Sequence, residues 1–218
     1  MTCGTSYTYT VCAFNKTSES TFDLTGVSAK TVLETPTVKV ASAGHNSIQV
    51  SWNEIAGASG YYVYRLNGTK WTKIKTIVGG NILTYKNIGL TCGKAYKYTV
   101  AAYCKVNETK VISDYNMKGV SAKPIPATPK VYVTSVGNNA IKVSWDKIIG
   151  ANGYYVYRKN GTKWSRIKTI TNKDTLSYTN KGLTAGKTYT YTVVAYRTVN
   201  ETKVRSNYDK AGIGVKVE

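Results

Sequence analysis

The chain has 218 residues, of which 42% are hydrophobic, 11% aromatic and 19% charged, enough for one or two globular domains with cores of their own. Its aromatic content is lopsided, with 19 Tyr against 2 Phe and 4 Trp, and 30 Lys and Arg face 11 Asp and Glu for a formal net charge of +19. This composition excludes low-complexity disorder, and no apolar run approaches the ~20 residues that a bilayer span needs, so no membrane span is expected.

Internal repetition organises the chain. GYYVYR stands at Gly60–Arg65 and again at Gly153–Arg158, VSW at Val50–Trp52 and Val143–Trp145, NGTKW at Asn67–Trp71 and Asn160–Trp164, and NETKV at Asn107–Val111 and Asn200–Val204, every pair offset by 93 residues. An incomplete copy opens the chain: Thr2-Cys3-Gly4 followed by Tyr7-Thr8-Tyr9-Thr10-Val11 matches Thr91-Cys92-Gly93 followed by Tyr96-Lys97-Tyr98-Thr99-Val100, with Met1 where the full copies have Leu90 and Leu183. All four prolines, Pro36, Pro124, Pro126 and Pro129, fall between copies, where Pro collects because it cannot donate to a sheet ladder. The expected boundaries are a fragment at 1–35 and full units at 36–126 and 127–218, joined by a stiff, extended Lys123–Pro129 segment. The three segments carry two basic and three acidic residues, twelve and three, and sixteen and five, so the positive charge belongs to the full units. Such a field attracts polyanions, while the plainer reading is that Lys keeps exposed sheet edges soluble and unpaired.

In chain order, the fragment offers an alternating strand over residues 7–14, with Tyr7, Tyr9, Val11 and Ala13 on one face and no strands within the chain to cover it. Its open edge and apolar face are expected to be covered by the adjacent unit or by another chain, the second route giving strand-mediated self-association through residues 1–35. Each full unit then reads as short strands. Ile48, Val50 and Trp52 alternate on one face, Gly60–Arg65 follows, Asn67-Gly68 supplies a hairpin turn, Trp71–Thr76 returns, Tyr96–Tyr103 is the longest strand and Gly119 opens the last. About seven strands in about 90 residues is the signature of an all-β sandwich.

These residues carry a resemblance to a family. A Trp on the second strand (Trp52, Trp145) and the turns Leu90-Thr-Cys-Gly-Lys-Ala-Tyr96 and Leu183-Thr-Ala-Gly-Lys-Thr-Tyr189 resemble the core Trp and the Leu-x-x-Gly-x-x-Tyr turn of the fibronectin type III domain. The resemblance implies two complete immunoglobulin-like sandwiches preceded by the last two strands, F and G, of a third. It makes Trp52, Leu90, Tyr96, Trp145, Leu183 and Tyr189 structural core residues, the two tyrosines forming tyrosine corners. The wording of the repeats is similar to that in surface proteins of Gram-positive bacteria, which implies an extracellular place at the cell surface or wall. No signal peptide is visible, and its absence is uninformative in a chain that opens inside a repeat.

No active site is expected. The lone His45 sits in a turn where the second copy has Asn138, no nucleophile motif accompanies it, and only Glu108 and Glu201 recur in register among the acids. No phosphate-cradling loop or metal-ligand cluster is present, so no cofactor or metal is expected. Cys92 and Cys104 flank one strand about 40 Å apart when extended and cannot pair with each other; the four thiols are expected to be free, with an intermolecular bridge through Cys3 or Cys12 as the alternative.

Alternation identifies the outward face. Val63 inward sends Tyr62 and Tyr64 outward, Ile74 inward sends Trp71, Lys73 and Lys75 outward, and Val100 inward sends Tyr103 outward. In the family's topology strands C, C′, F and G share a sheet, which puts these residues on one outer face, repeated as Tyr155, Tyr157, Trp164, Arg166, Lys168 and Tyr196. Rings interleaved with cations suit sugar rings, acidic groups or a partner's aromatic surface, and equally a cross-strand ladder that only stiffens the sheet. The FG loops, Lys105–Lys118 and Thr198–Lys210, are a second candidate, without an Arg-Gly-Asp tripeptide. Sequons at Asn15, Asn67, Asn107, Asn160 and Asn200 read as Asn-rich turns. The functional expectation is a non-catalytic spacer or presentation array within a larger surface protein. The alternative is an adhesin for host glycans or glycoproteins, immunoglobulin-type proteins included, or for anionic wall polysaccharide. Specific nucleic-acid binding is not expected.

Overall fold

The computed structural model describes residues 3–106 and 109–218, so Met1, Thr2 and the Asn107–Glu108 pair, with its sequon and its recurrent acid, lie outside the described residues. Every regular element among them is a β-strand. By compactness the chain divides into two units, one of residues 1–40, 50–85 and 96–121, the other of residues 41–49, 86–95 and 122–218.

The first strands, β1 (Ser6–Tyr9) and β2 (Val27–Lys30), pair antiparallel with each other as a two-stranded sheet. The next eight are β3 (Val38–Gly44), β4 (Ser47–Trp52), β5 (Gly60–Asn67), β6 (Lys70–Val78), β7 (Thr84–Asn87), β8 (Tyr96–Val106), β9 (Thr109–Ile112) and β10 (Val120–Ala122). They form a three-stranded sheet in the order β3-β4-β7 and a five-stranded sheet in the order β10-β8-β5-β6, with β9 also on β8. The last eight repeat the arrangement: β11 (Val131–Ser135), β12 (Ile141–Trp145), β13 (Gly153–Asn160), β14 (Lys163–Ile170), β15 (Ser177–Asn180), β16 (Thr188–Val199), β17 (Thr202–Arg205) and β18 (Ile213–Lys216). Their sheets run β11-β12-β15 and β14-β13-β16-β17, with β18 also on β16.

Alternating apolar residues explain the core of the second sandwich. Ile141, Val143 and Trp145 from the smaller sheet meet Tyr154, Val156, Tyr191, Val193 and Ala195 from the larger, closed at the ends by Leu183 and Val217. The Trp145 ring lies 5.3 Å from that of Tyr154, and Trp52 and Tyr61 repeat the contact at 5.3 Å. Trp52, Leu90, Trp145 and Leu183 are buried, as the core assignment expects. Tyr96 and Tyr189 are half-buried, and the Thr184 backbone N–H donates to the Tyr189 hydroxyl, 3.1 Å, which is the tyrosine corner. Hydrogen bonding from Thr184, its side chain first and its backbone second, holds the Tyr189 hydroxyl below its ordinary pKa.

Three expectations are overturned. The thiols are not all free: Cys3 and Cys104 form a disulfide across 101 residues of sequence, while Cys12 is free and exposed and Cys92 free and buried. Coverage of the fragment's expected face by the adjacent unit is overturned, since Tyr7 is half-buried but Tyr9 is 49% and Val11 86% exposed and the strand expected over 7–14 ends at Tyr9; coverage by another chain stays an expectation. The hairpin is held at its base, by the disulfide and by Gly4, whose backbone lies so close to Val111 that an added methyl would come within 2.6 Å of it. Finally, Lys75 and Lys168 do not lie on the outer face. A β-bulge between Val63 and Tyr64, and another between Val156 and Tyr157, shifts the register. Lys75 then stands opposite Val63 and Lys168 opposite Val156, in the inward-facing row of the edge strand, where both stay exposed, and Lys168 Nζ sits 5.9 Å over the ring of Tyr178, a residue packed on the core.

Candidate functional site

The outer face is built on the Gly-Tyr-Tyr-Val-Tyr-Arg strands. In β5, Tyr61 and Val63 point into the core, leaving Tyr62 and Tyr64 outside. Gly60 stands opposite Tyr103, whose ring lies flat over it; a methyl at Gly60 would meet the phenol oxygen at 2.7 Å. That fit lets Tyr103 stack on Tyr62, 4.8 Å between centroids, and reach the Ile77 carbonyl with its hydroxyl, 3.3 Å. The second copy repeats this with Gly153, Tyr196 and Tyr155, the rings 4.7 Å apart and the Tyr196 hydroxyl 3.4 Å from the Ile170 carbonyl.

Cations roof these pairs. Lys73 Nζ lies 4.4 Å over Tyr62 and Lys110 Nζ 4.7 Å over Tyr103. In the second copy Arg166 stands 4.8 Å and Arg205 5.3 Å over Tyr155, and Lys203 4.9 Å over Tyr196. Each such contact contributes roughly 0.5–1 kcal/mol at an exposed site. The consequence is a correction: Tyr62, Tyr103, Tyr155 and Tyr196 belong to the outer face but are buried at 5% exposure or less, so they offer no ring to a ligand. Tyr64, Trp71, Tyr157 and Trp164 remain half-buried and carry what aromatic surface the face presents. Each Trp also has one edge committed to the fold, Trp71 against Gly119 and Trp164 against Gly212.

The FG segments, expected as loops from the sequence, contribute to the face as strands: β9 and β17 pair with the ends of β8 and β16 and extend the same sheet. Their turn in the second copy is Asn200-Glu201, both at positive φ (45° and 62°), the geometry of a two-residue hairpin. The signal was present in Thr109–Ile112 and Thr202–Arg205, short β-prone runs directly after NE. The two candidate regions therefore merge into one surface, which gains Lys110, Tyr115, Lys203, Arg205 and Tyr208.

At this surface the copies part. In the first, Tyr115 lies on Tyr64, 5.2 Å away and 20° from parallel, with Trp71 edge-on at 6.4 Å. Burial and the neighbouring phenols push the Tyr64 hydroxyl pKa up. In the second, Tyr208 keeps the edge-on contact with Trp164 at 6.4 Å but has no stack on Tyr157 among the described residues, and it is 38% exposed. A pocket of about 270 Å³ opens between Tyr157, Trp164 and Tyr208, floored by Thr192 and flanked by Arg205. Among the described residues, no three His, Cys, Asp or Glu side chains converge on a possible metal position.

No protein-family model matches the chain. It is 29% identical over 220 residues to Exoglucanase B of Cellulomonas fimi, covering 89% of this chain and 19% of that one. It is 31% identical over 175 residues to fibronectin type III domain-containing protein 7 of Mus musculus, covering 78% and 22%. A two-domain fibronectin type III segment of chicken tenascin matches 84% of the chain at 14% identity, with a TM-score of 0.43. The chain thus spans about a fifth of the length of the curated relatives it matches. Sheet order, core tryptophans and recurrent motifs agree in both full copies, and the chain is a tandem of fibronectin type III β-sandwiches.

Proposed function

We propose that the chain is a non-catalytic module array of a larger secreted bacterial surface protein, divided into repeats at 1–35, 36–126 and 127–218, which spaces out or presents the other domains of that protein. The observation that carries this reading is partial coverage: similarity extends over 89% of this chain but only 19% of Exoglucanase B, so segments of this kind occur inside much longer proteins. The Cys3–Cys104 disulfide supports an extracellular place, because such bonds persist in oxidising compartments. The test is incubation of the chain with cellulose, chitin and pullulan under non-reducing conditions, measuring reducing ends. No release above a buffer blank is expected, and sustained release would overturn the reading.

A second reading, adhesion through the outer sheet face, is favoured by the pocket between Tyr157, Trp164 and Tyr208. It gives the array a contact with glycans or anionic polymers in addition to its spacing role.

A further inference from the structure

We propose that the pocket on the second sandwich binds a single carboxylated pyranose, as found in uronic-acid or sialic-acid glycans; this rests on the adhesive reading and gives it a site and a ligand class. Shape is the first ground. The pocket holds about 270 Å³, just under the lower end of the range for drug-sized ligands, which is room for one ring and its substituents. Its walls are the rings of Tyr157, Trp164 and Tyr208, which suit the C–H faces of a pyranose. The first copy shows that the place accepts a flat ring, because there Tyr115 itself lies on Tyr64, the counterpart of Tyr157.

Polar chemistry is the second ground. Thr192 lines the pocket at 1% exposure, and its Oγ1 has no hydrogen-bond partner. An unpaired enclosed hydroxyl is costly, and rotation of the Thr192 side chain about χ1 would bring its oxygen to the pocket floor, where a sugar hydroxyl would satisfy it. The neighbouring Ser206 hydroxyl is already engaged, accepting from the Ala195 N–H and donating to the Asn207 carbonyl. Thr99, at the same place in the first copy, is likewise unpaired, but there the Tyr115 stack occupies Tyr64.

Charge is the third ground. Arg205 flanks the pocket and forms no ion pair among the described residues, where the ion pairs converge on Asp174 instead. A guanidinium matches a carboxylate with two parallel hydrogen bonds. The first copy has Ile112 at this position, so the charge is particular to the second. Sixteen basic against five acidic residues over 127–218 repel a cationic ligand, which argues against the ammonium that aromatic cages otherwise hold.

The experiment is an NMR titration of the full chain with methyl glucuronide and methyl sialoside, with methyl glucoside as the uncharged control, at 150 mM salt. Saturable shifts are expected for the Trp164 indole N–H with at least one acidic sugar, and which sugar saturates identifies the source. Arg205→Gln should weaken binding about tenfold and level acidic with neutral sugar. Thr192→Val should weaken it about threefold to tenfold without lowering the melting temperature, since it removes a hydroxyl that has no partner in the fold. Absence of saturation with both acidic sugars overturns the proposal. So does binding that Arg205→Gln and Thr192→Val leave intact, or that tracks ionic strength alone, which would be attraction of polyanions to the charged face. These outcomes are distinct from release of reducing ends, which would sink the non-catalytic reading instead.

Discussion

The two complete sandwiches are an internal control on each other. Their tryptophans meet the same tyrosines at the same 5.3 Å, and their stacked outer pairs differ by 0.1 Å, at 4.8 and 4.7 Å. Against this shared scaffold, Ala101, Ile112 and Tyr115 of the first copy correspond to Val194, Arg205 and Tyr208 of the second. In the first, a ring of the FG segment covers Tyr64; in the second the corresponding ring stands off Tyr157 and a pocket remains. The lesson is that core residues define the sandwich, while residues beside the last long strand decide whether its outer face is sealed or available.

The largest expected effect tests the equivalence of the cores. Trp145→Ala and Trp52→Ala should each cost about 3–5 kcal/mol of unfolding free energy, by loss of contacts and the cavity left behind. Urea denaturation of each sandwich measures this, and costs that differ by more than a factor of two would break the equivalence. Next is backbone approach. Gly153→Ala and Gly60→Ala would each drive a methyl into the phenol of the crossing tyrosine and the facing carbonyl, of Ile170 or Ile77. A cost of about 1–3 kcal/mol is expected from such overpacking, together with altered near-ultraviolet dichroism of the tyrosines.

The disulfide separates the copies, since only the first bears one. Under denaturing conditions alkylation should label two thiols without reductant and four with it, while the folded chain should expose only Cys12. Cys104→Ser should speed protease removal of residues 1–35 by tenfold or more while leaving the second sandwich's melting unchanged. The smallest effect is acid sensitivity. Lys147 at 2.5 Å and Lys173 at 2.8 Å donate to Asp174 and hold its carboxyl down to about 2, against an ordinary value of 3.8, whereas the first copy has Asn81 there. A depressed carboxylate stabilises the fold above its unfolded pKa and loses that contribution as pH falls through the folded one. The second sandwich should therefore lose stability relative to the first between pH 4 and 2, and Asp174→Asn should abolish the difference.

The fold was legible because period-two alternation, NG turns and the Trp and Leu-x-x-Gly-x-x-Tyr signatures recur in phase. The candidate face was legible only in part. Alternation counts residues, and the bulges after Val63 and Val156 add one, which moves Lys75 and Lys168 to the inward-facing row. Burial of Tyr62 and Tyr155 escaped the sequence because their roofing cations, Lys73 and Arg166 apart, come from β9 and β17, read there as loop. Local sequence also says little about burial by itself. Tyr7-Thr-Tyr9-Thr-Val11 resembles Tyr96-Lys-Tyr98-Thr-Val100, yet Val11 is 86% exposed and Val100 fully buried. The Cys3–Cys104 bond is not legible in the sequence because it joins the fragment to the next repeat and lies outside the pattern of either full sandwich.

The central claim, a sealed outer face in one copy and an open one in the other, is tested most directly by nuclear Overhauser contacts between assigned tyrosine rings. Strong Tyr64–Tyr115 contacts with none between Tyr157 and Tyr208 are the result expected from the 5.2 Å stack and the open pocket. Contacts of equal strength in both pairs would contradict it.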